Sequence, residues 1–286
     1  MRKKFKSGLW GVEYSLEDGA RLNRLAFDGK DLLTAEPKSF RPPSADYGEY
    51  EKRPVYAYDD CFPSVNSCKY PGLAWIIPDH GELCWLPWQV TEDSNRLVFV
   101  VRSREIPVIF EREMHFKETS LMWNFIVKNK GDDELPFQHV MHPLFPLSQI
   151  IGVELPQFKS VYDDIGKMTI DLENPQAVEH FLLSQPERST NMLFLQKIKT
   201  GIMKWTYRNG ITIEAVFSEK YFPSIGIWWN NNAYPDEDGC RRNECAFEPI
   251  PGDNSVLTDA HKDGNCLSVL PGENFSWQIQ WKTVQS

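Results

Sequence analysis

The sequence predicts an all-β chain built as a sandwich or a barrel. Three observations carry this: period-2 alternation of apolar and polar residues dominates, turn signals separate the alternating runs at short intervals, and no long amphipathic helix is found. Val108, Phe110, Met114 and Phe116 alternate with Ile109, Glu111, Glu113 and His115. Leu121, Trp123, Phe125 and Val127 alternate with Met122, Asn124, Ile126 and Lys128. Ile211, Ile213, Ala215 and Phe217 alternate with Thr212, Glu214 and Val216. Phe275, Trp277, Ile279 and Trp281 alternate with Ser276, Gln278, Gln280 and Lys282. Each run reads as a strand with one buried face and one wet or site-facing face.

Between these runs, Lys130-Gly131-Asp132-Asp133 divides two strands and Pro271-Gly272-Glu273-Asn274 introduces the last one. Arg208-Asn209-Gly210 reads as a hairpin, since Asn-Gly suits the positive φ of a type I′ turn. Short helices are expected in 171–200. Two stretches, 41–95 and 229–246, lack alternation. The first is rich in Pro, Tyr, Trp, Asp and Cys, and long irregular segments on a rigid β scaffold often carry function.

The chain has 286 residues, 41% of them hydrophobic, which is enough to bury a sizeable core and excludes disorder over the whole length. It shows no linker-like break and no repeat, so 1–286 reads as one domain. A formal charge of −9 repels phosphate backbones and speaks against nucleic acid as a partner. No run approaches the ~20 apolar residues of a membrane helix. The basic start Met-Arg-Lys-Lys-Phe-Lys is followed by no apolar h-region, so the chain reads as unexported and cytoplasmic. Its six cysteines then read as thiols.

Of the six histidines, His115, His180 and His261 sit in polar surroundings and read as surface residues. His80 lies in Pro78-Asp79-His80-Gly81-Glu82. In Gln138-His139-Val140-Met141-His142-Pro143, alternation puts His139 and Met141 on one face and Val140 on the other, and His142 leaves the strand at the His-Pro step. Such a strand end can aim an imidazole into a pocket, although a structural histidine is the plainer reading. Glu248 lies in the apolar run Cys245-Ala246-Phe247-Glu248-Pro249-Ile250. It is either a hydrogen-bonded structural carboxylate or one whose pKa is raised by desolvation, which suits a general base. Cys61, Cys68, His80 and Cys84 lie close in sequence but include no C-x₂-C pair, so no metal site is expected. No cofactor motif is present either. Of the ten tryptophans, Trp75, Trp85, Trp88, Trp228 and Trp229 fall in or near irregular segments and could offer flat faces to a sugar ring; packing is the alternative for each.

Several fragments, taken in order, resemble the aldose 1-epimerase (galactose mutarotase-like) family: Gly19-Ala20-Arg21-Leu22-Asn23-Arg24-Leu25 with Gly29-Lys30-Asp31-Leu32-Leu33; Phe62-Pro63-Ser64-Val65 with Asp79-His80-Gly81; His142-Pro143-Leu144-Phe145; Ile225-Gly226-Ile227-Trp228; Phe247-Glu248-Pro249 with Gly252; and Leu270-Pro271-Gly272-Glu273. They span about residues 19–282. The resemblance implies a single-domain, large antiparallel β-sandwich, the galactose mutarotase-like supersandwich. It implies an enzyme that interconverts the α and β anomers of a sugar by general acid/base ring opening and closure, with no cofactor or metal and with a small carbohydrate as partner. In this reading His142 is the acid that protonates the ring oxygen and Glu248 the base that takes the anomeric hydroxyl proton. His80 and Trp228 bind substrate. The sequence departs from the family pattern after Phe62-Pro63, where Asn66-Ser67 and then Lys69 stand in place of a sugar-gripping arginine, and before it, at Asp59-Asp60-Cys61. Asp59, Asp60 and Lys69 are therefore substrate-binding candidates. A non-catalytic carbohydrate-binding protein, or a sugar-phosphate epimerase or lyase on the same scaffold, is the alternative.

Overall fold

A computed structural model describes residues 1–38, 46–237 and 239–285, with Gln285 described by its backbone alone. Positions 41–45 and 238 of the two irregular stretches lie outside the described residues. The four alternating runs form strands Val108–Phe116, Ser120–Asn129, Ile211–Phe217 and Asn274–Gln285. All four are in one eight-stranded sheet. Its order is Ile150–Glu154, Ile202–Tyr207, Ile211–Phe217, Asn274–Gln285, Ser120–Asn129, Val108–Phe116, Arg96–Arg102 and Gln89–Asp93, with every pair antiparallel. Phe110, Met114, Trp123, Phe125, Ile213, Trp277 and Trp281 are buried on one face. Each such side chain contributes about 1.5–3 kcal/mol. A one-residue slip would turn the whole set outwards, so this face also fixes the register.

Two smaller antiparallel sheets cover that face. One runs Arg2–Ser7, Trp10–Ser15, Arg21–Phe27, Tyr58–Cys61, Val140–Pro143. Its Trp10, Tyr14 and Tyr58 pack on Phe116, Phe99 and Trp123 of the large sheet. The other runs Phe145–Pro146, Asn243–Ile250, Ser224–Asn231, Ser189–Gln196, Ser160–Asp163, Met168–Ile170. Its Phe145 and Phe247 pack on Trp205, and Phe145 also meets Trp281. The result is a large antiparallel β-sandwich, as predicted. The chain crosses from one small sheet to the other at Leu144, because strand Val140–Pro143 ends the first and Phe145, paired with Cys245, opens the second. That seam positions the site.

Two local expectations need correction. The turn at 208–210 is a hairpin, but only Gly210 has positive φ, so it is a three-residue connection and not a type I′ turn. His142 does not leave its strand at the His-Pro step. It pairs with Asp59, and Pro143 still pairs with Tyr58 before the ladder ends. As expected, 171–200 holds a short helix, Pro175–Leu183, started by Asn174 accepting from the Ala177 amide with Pro175 in the first turn; strand Ser189–Gln196 follows it. No helix among the described residues is long and apolar enough to cross a membrane.

Candidate active site

The outer face of the seam is assembled by period-2 alternation in four strands. In Asn243–Ile250, Phe247 points into the core, which leaves Glu244, Ala246 and Glu248 outwards. In Ser224–Asn231, Ile225, Ile227 and Trp229 are core, which leaves Gly226, Trp228 and Asn230 beside them, with Gly226 opposite Glu248. In Tyr58–Cys61, Tyr58 and Asp60 point inwards and Asp59 and Cys61 outwards. In Val140–Pro143, Met141 points inwards and Val140 and His142 outwards, with His142 directly across from Asp59. Gly226 makes room for the carboxylate: a Cβ there would lie 3.3 Å from Glu248 Oε2 and 3.1 Å from Met192 Cε.

His80 arrives from an irregular loop. Its φ is +60° and that of Gly81 is +74°. The Gly81 position has no space for a side chain, since a Cβ would lie 1.9 Å from the Phe62 carbonyl oxygen. The backbone is locked there by the His80 amide donating to Val65 (2.6 Å) and the Glu82 amide donating to Phe62 (2.9 Å). His-Gly is thus needed in this order: two left-handed residues turn the chain sharply, and only the second must be glycine.

These elements enclose a cavity of about 490 Å³ lined by Tyr50, Val65, Asn66, Asp79, His80, His142, Asp164, Met192, Trp228, Tyr234, Arg242, Glu244 and Glu248, among others. His142 Nε2 lies 3.9 Å from Glu248 Oε1. His142 is 8% exposed and Glu248 5%, so both are largely removed from water. The other ring nitrogen of His142, Nδ1, donates to Asp59 Oδ1 at 2.9 Å. Asp59 also accepts from the Tyr50 hydroxyl (3.0 Å) and lies 3.4 Å from the buried Arg21 guanidinium, which is anchored on Asp18 and the Tyr56 carbonyl. The Tyr50 ring stacks on His80 at 3.7 Å between centroids, and the His80 and His142 rings are 4.8 Å apart. At the mouth, Arg242 Nε donates to Glu244 Oε1 at 2.8 Å and reaches Glu51 at 3.6 Å, and Trp228 Nε1 donates to the same Glu244 oxygen at 3.2 Å.

The electrostatics follow from these contacts. Burial alone would push His142 down, but the hydrogen bond and charge of Asp59, helped by Glu248 and Glu244, hold it above the ordinary histidine value. Burial pushes Glu248 up; the positive charge of His142 and His80 opposes this only in part. Burial would also raise Asp59, yet Arg21 and His142 hold it well below the carboxylate range, so it stays an anion under His142. The Tyr50 hydroxyl is pushed well up, chiefly by burial, and stays protonated.

The other expected site residues fall as follows. Asp59 lies beneath His142, 1% exposed, and reaches the cavity through it. Asp60 does not face the cavity: it is on the opposite side of the strand, inside the core, ion-paired with Arg112 and 3.0 Å from His139 Nε2. Lys69 is exposed on a two-stranded ribbon with Ile76–Ile77 and does not line the cavity, so it cannot replace the missing arginine there. Of the five tryptophans, only Trp228 lines it; Trp88 and Trp229 are core, Trp75 packs on Tyr70, and Trp85 lies under Arg53. Cys68 and Cys84 turn to Ser64 and to the Gly81 carbonyl, away from a common centre with His80. All six cysteines are free thiols. Sequence reasoning missed Tyr50, Arg21 and Glu244. The irregular stretches were the signal for Tyr50 and Glu244, but nothing in their composition singles these residues out.

No protein-family model matches the sequence, and no curated protein matches it. Solved structures match over the full length. A protein of Synechocystis sp. PCC 6803 superposes with a TM-score of 0.78 at 17% identity, covering 100% of this chain and 96% of that one. A protein of Escherichia coli K12 described as a candidate aldose 1-epimerase gives 0.74 at 17% identity, covering 100% and 99%. A galactose mutarotase related enzyme of Lactobacillus acidophilus gives 0.69 at 15%, covering 100% and 98%. The fold is therefore galactose mutarotase-like.

Proposed function

We propose that the chain, as one domain over 1–286, is an aldose 1-epimerase-type isomerase that interconverts the anomers of a neutral sugar. The observation that carries this reading is the buried His142–Glu248 pair, 3.9 Å apart, with Asp59 behind His142. The neighbours described as aldose 1-epimerase and galactose mutarotase related proteins support it at the level of fold. His142, kept protonated by Asp59, gives its Nε2 proton to the ring oxygen as C1–O5 breaks. Glu248, made a better base by desolvation, takes the proton from the anomeric hydroxyl. The open aldehyde turns about C1–C2. On closure at the other face the O5 hydroxyl attacks C1 and gives its proton back to His142, while Glu248 gives its proton to the former carbonyl oxygen, so His142 is neutral and Glu248 protonated only while the chain is open. No net proton is consumed. His80, fixed face-on by Tyr50, and Trp228 then hold the ring.

The charge lining the cavity favours a neutral substrate over a sugar phosphate. Glu51, Asp79, Asp164, Glu244 and Glu248 are acidic, and among the described lining residues Arg242 is the one fixed cation. It is already paired with Glu244 and Glu51, so a phosphate would meet carboxylates with no unengaged guanidinium to receive it. The deciding test is exchange NMR or polarimetry on freshly dissolved α-glucose, α-galactose and other aldoses. Wild-type exchange far above the buffer rate supports the reading; sugar binding with exchange no faster than buffer points to the non-catalytic binder.

A bell-shaped pH profile is expected. Activity falls on the acid side as Glu248, with its raised pKa, takes up a proton. It falls on the alkaline side as His142, also raised, loses one. Asp59→Asn removes the main group raising His142 and leaves burial to lower it. The alkaline limb should therefore move to lower pH, with the acid limb moving less because Asp59 is the weakest of the influences on Glu248. An alkaline limb unmoved in kcat/KM profiles of Asp59→Asn would remove Asp59 from this role.

A further inference from the structure

We propose that Cys61, His80 and His142 form a binding site for a soft transition-metal ion, best fitted by Zn²⁺, and that its occupancy switches off the acid/base pair. One ligating atom from each of the three residues lies within 4.8 Å of the others. The strand geometry explains why. Cys61 shares the outward side of its strand with Asp59, His142 lies opposite Asp59 and so diagonal to Cys61 on the neighbouring strand, and the His80-Gly81 turn brings in the third ligand. Around a tetrahedral Zn²⁺, with its usual bonds to sulfur and nitrogen, ligating atoms sit roughly 3.5 Å apart. The observed set, within 4.8 Å, would have to draw in by about 1 Å to reach that.

The surroundings are those of a ligand set. Imidazoles that bind metal nearly always give their other ring N–H to a carboxylate or carbonyl, which fixes the tautomer and raises basicity. His142 has such a partner, with Nδ1 2.9 Å from Asp59; His80 Nδ1 is buried 3.2 Å from Asp79 but makes no hydrogen bond to it. One thiolate with two imidazoles selects Zn²⁺ and similar soft ions over Mg²⁺ or Ca²⁺. Three protein ligands leave a fourth position open towards the cavity, where a water or Glu248 can complete the shell. Binding displaces the Cys61 thiol proton and occupies the lone pair that carries the His142 catalytic proton, so metal and catalysis exclude each other. The metal site stands on geometry alone; inhibition rests on the function proposed above.

The test uses chelator-stripped protein and Co²⁺ as an optical stand-in for Zn²⁺. Wild type should develop a thiolate-to-cobalt band in the near ultraviolet and the intense visible bands of tetrahedral cobalt, both removed by Zn²⁺. Cys61→Ser should lose the thiolate band and bind Zn²⁺ at least tenfold more weakly, with Cys61→Ala as the second variant should serine disturb the fold. In the exchange assay Zn²⁺ should inhibit wild type, reversibly with EDTA, whereas Cys61→Ser should match the uninhibited rate and need at least tenfold more Zn²⁺. Absence of a thiolate band in wild type, or equal Zn²⁺ affinity in Cys61→Ser, overturns the site. A thiolate band in wild type with no anomer exchange supports the site and overturns the acid/base reading instead, so the two failures are distinct.

Discussion

Glu248→Gln is expected to slow anomer interconversion by roughly 10²–10⁴-fold, the usual contribution of a positioned general base, while the protein stays folded and still binds sugar. Glutamine keeps the size and the hydrogen-bonding reach of glutamate but cannot accept the anomeric proton. The site is shaped for either side chain, because the space above Gly226 that admits the carboxylate admits an amide of the same volume. The substitution also removes a carboxylate whose charged form burial disfavours, so no loss of stability follows from desolvation. A second effect comes through His142. Glu248 is one of the charges that hold its pKa up, so the variant's residual activity should decay at lower pH than wild type. Exchange NMR at saturating sugar measures both. A variant that retains more than a tenth of the wild-type rate would show that another group takes the proton. A variant that is slow because it no longer binds sugar would place Glu248 in binding alone.

The strands were legible because one face of the large sheet is buried and the other is wet, so burial writes itself into the sequence with period 2. The same rule explains what was not legible. Tyr58-Asp59-Asp60-Cys61 is buried on both faces, beneath the cavity on one side and over the core on the other, so no alternation marks which aspartate points where. Only the pairing of Asp59 with His142 across the ladder separates them. His142 and Glu248 could be singled out because a histidine before proline and a carboxylate in an apolar run are each unusual, and the resemblance joined them. That they share a cavity is a property of the seam between two sheets, and no local pattern encodes it. Lys69 illustrates the opposite error: it is near Phe62-Pro63 in sequence, but the ribbon Cys68–Lys69 with Ile76–Ile77 carries it to the surface. The contacts that bring Tyr50, Arg21 and Arg242 into the site, to His80, Asp59 and Glu51, join residues distant in sequence, and such ion pairs and stacks have no signature before folding.

Asp60→Asn is expected to destabilise the fold by about 3–5 kcal/mol, as breaking one side of a buried ion pair generally does, and to leave the affinity for sugar unchanged in whatever protein remains folded. Asp60 and Arg112 are both fully buried, at 1% and 0% exposure. Asp60 accepts from Arg112, from the Tyr58 hydroxyl at 2.6 Å and from His139 at 3.0 Å. The guanidinium is enclosed by Phe99 at 4.5 Å and by Tyr58 and Trp88, and it also donates to the Ala20 carbonyl at 2.6 Å. Burial would raise the Asp60 pKa, but Arg112, His139 and Tyr58 hold it below the ordinary value. Its contribution to stability is therefore present at neutral pH and is lost as pH falls through that lowered value. An amide neutralises the acceptor and strands a positive charge among aromatic rings, where no water can replace the lost partner. Urea unfolding at pH 7 should show the full loss. Replacing both partners at once, Asp60→Leu with Arg112→Met, should recover much of it, because it removes the stranded charge as well. A loss under 1 kcal/mol in Asp60→Asn, or a raised KM without any loss of stability, would return Asp60 to the substrate side of the strand and overturn the division of labour between the two adjacent aspartates.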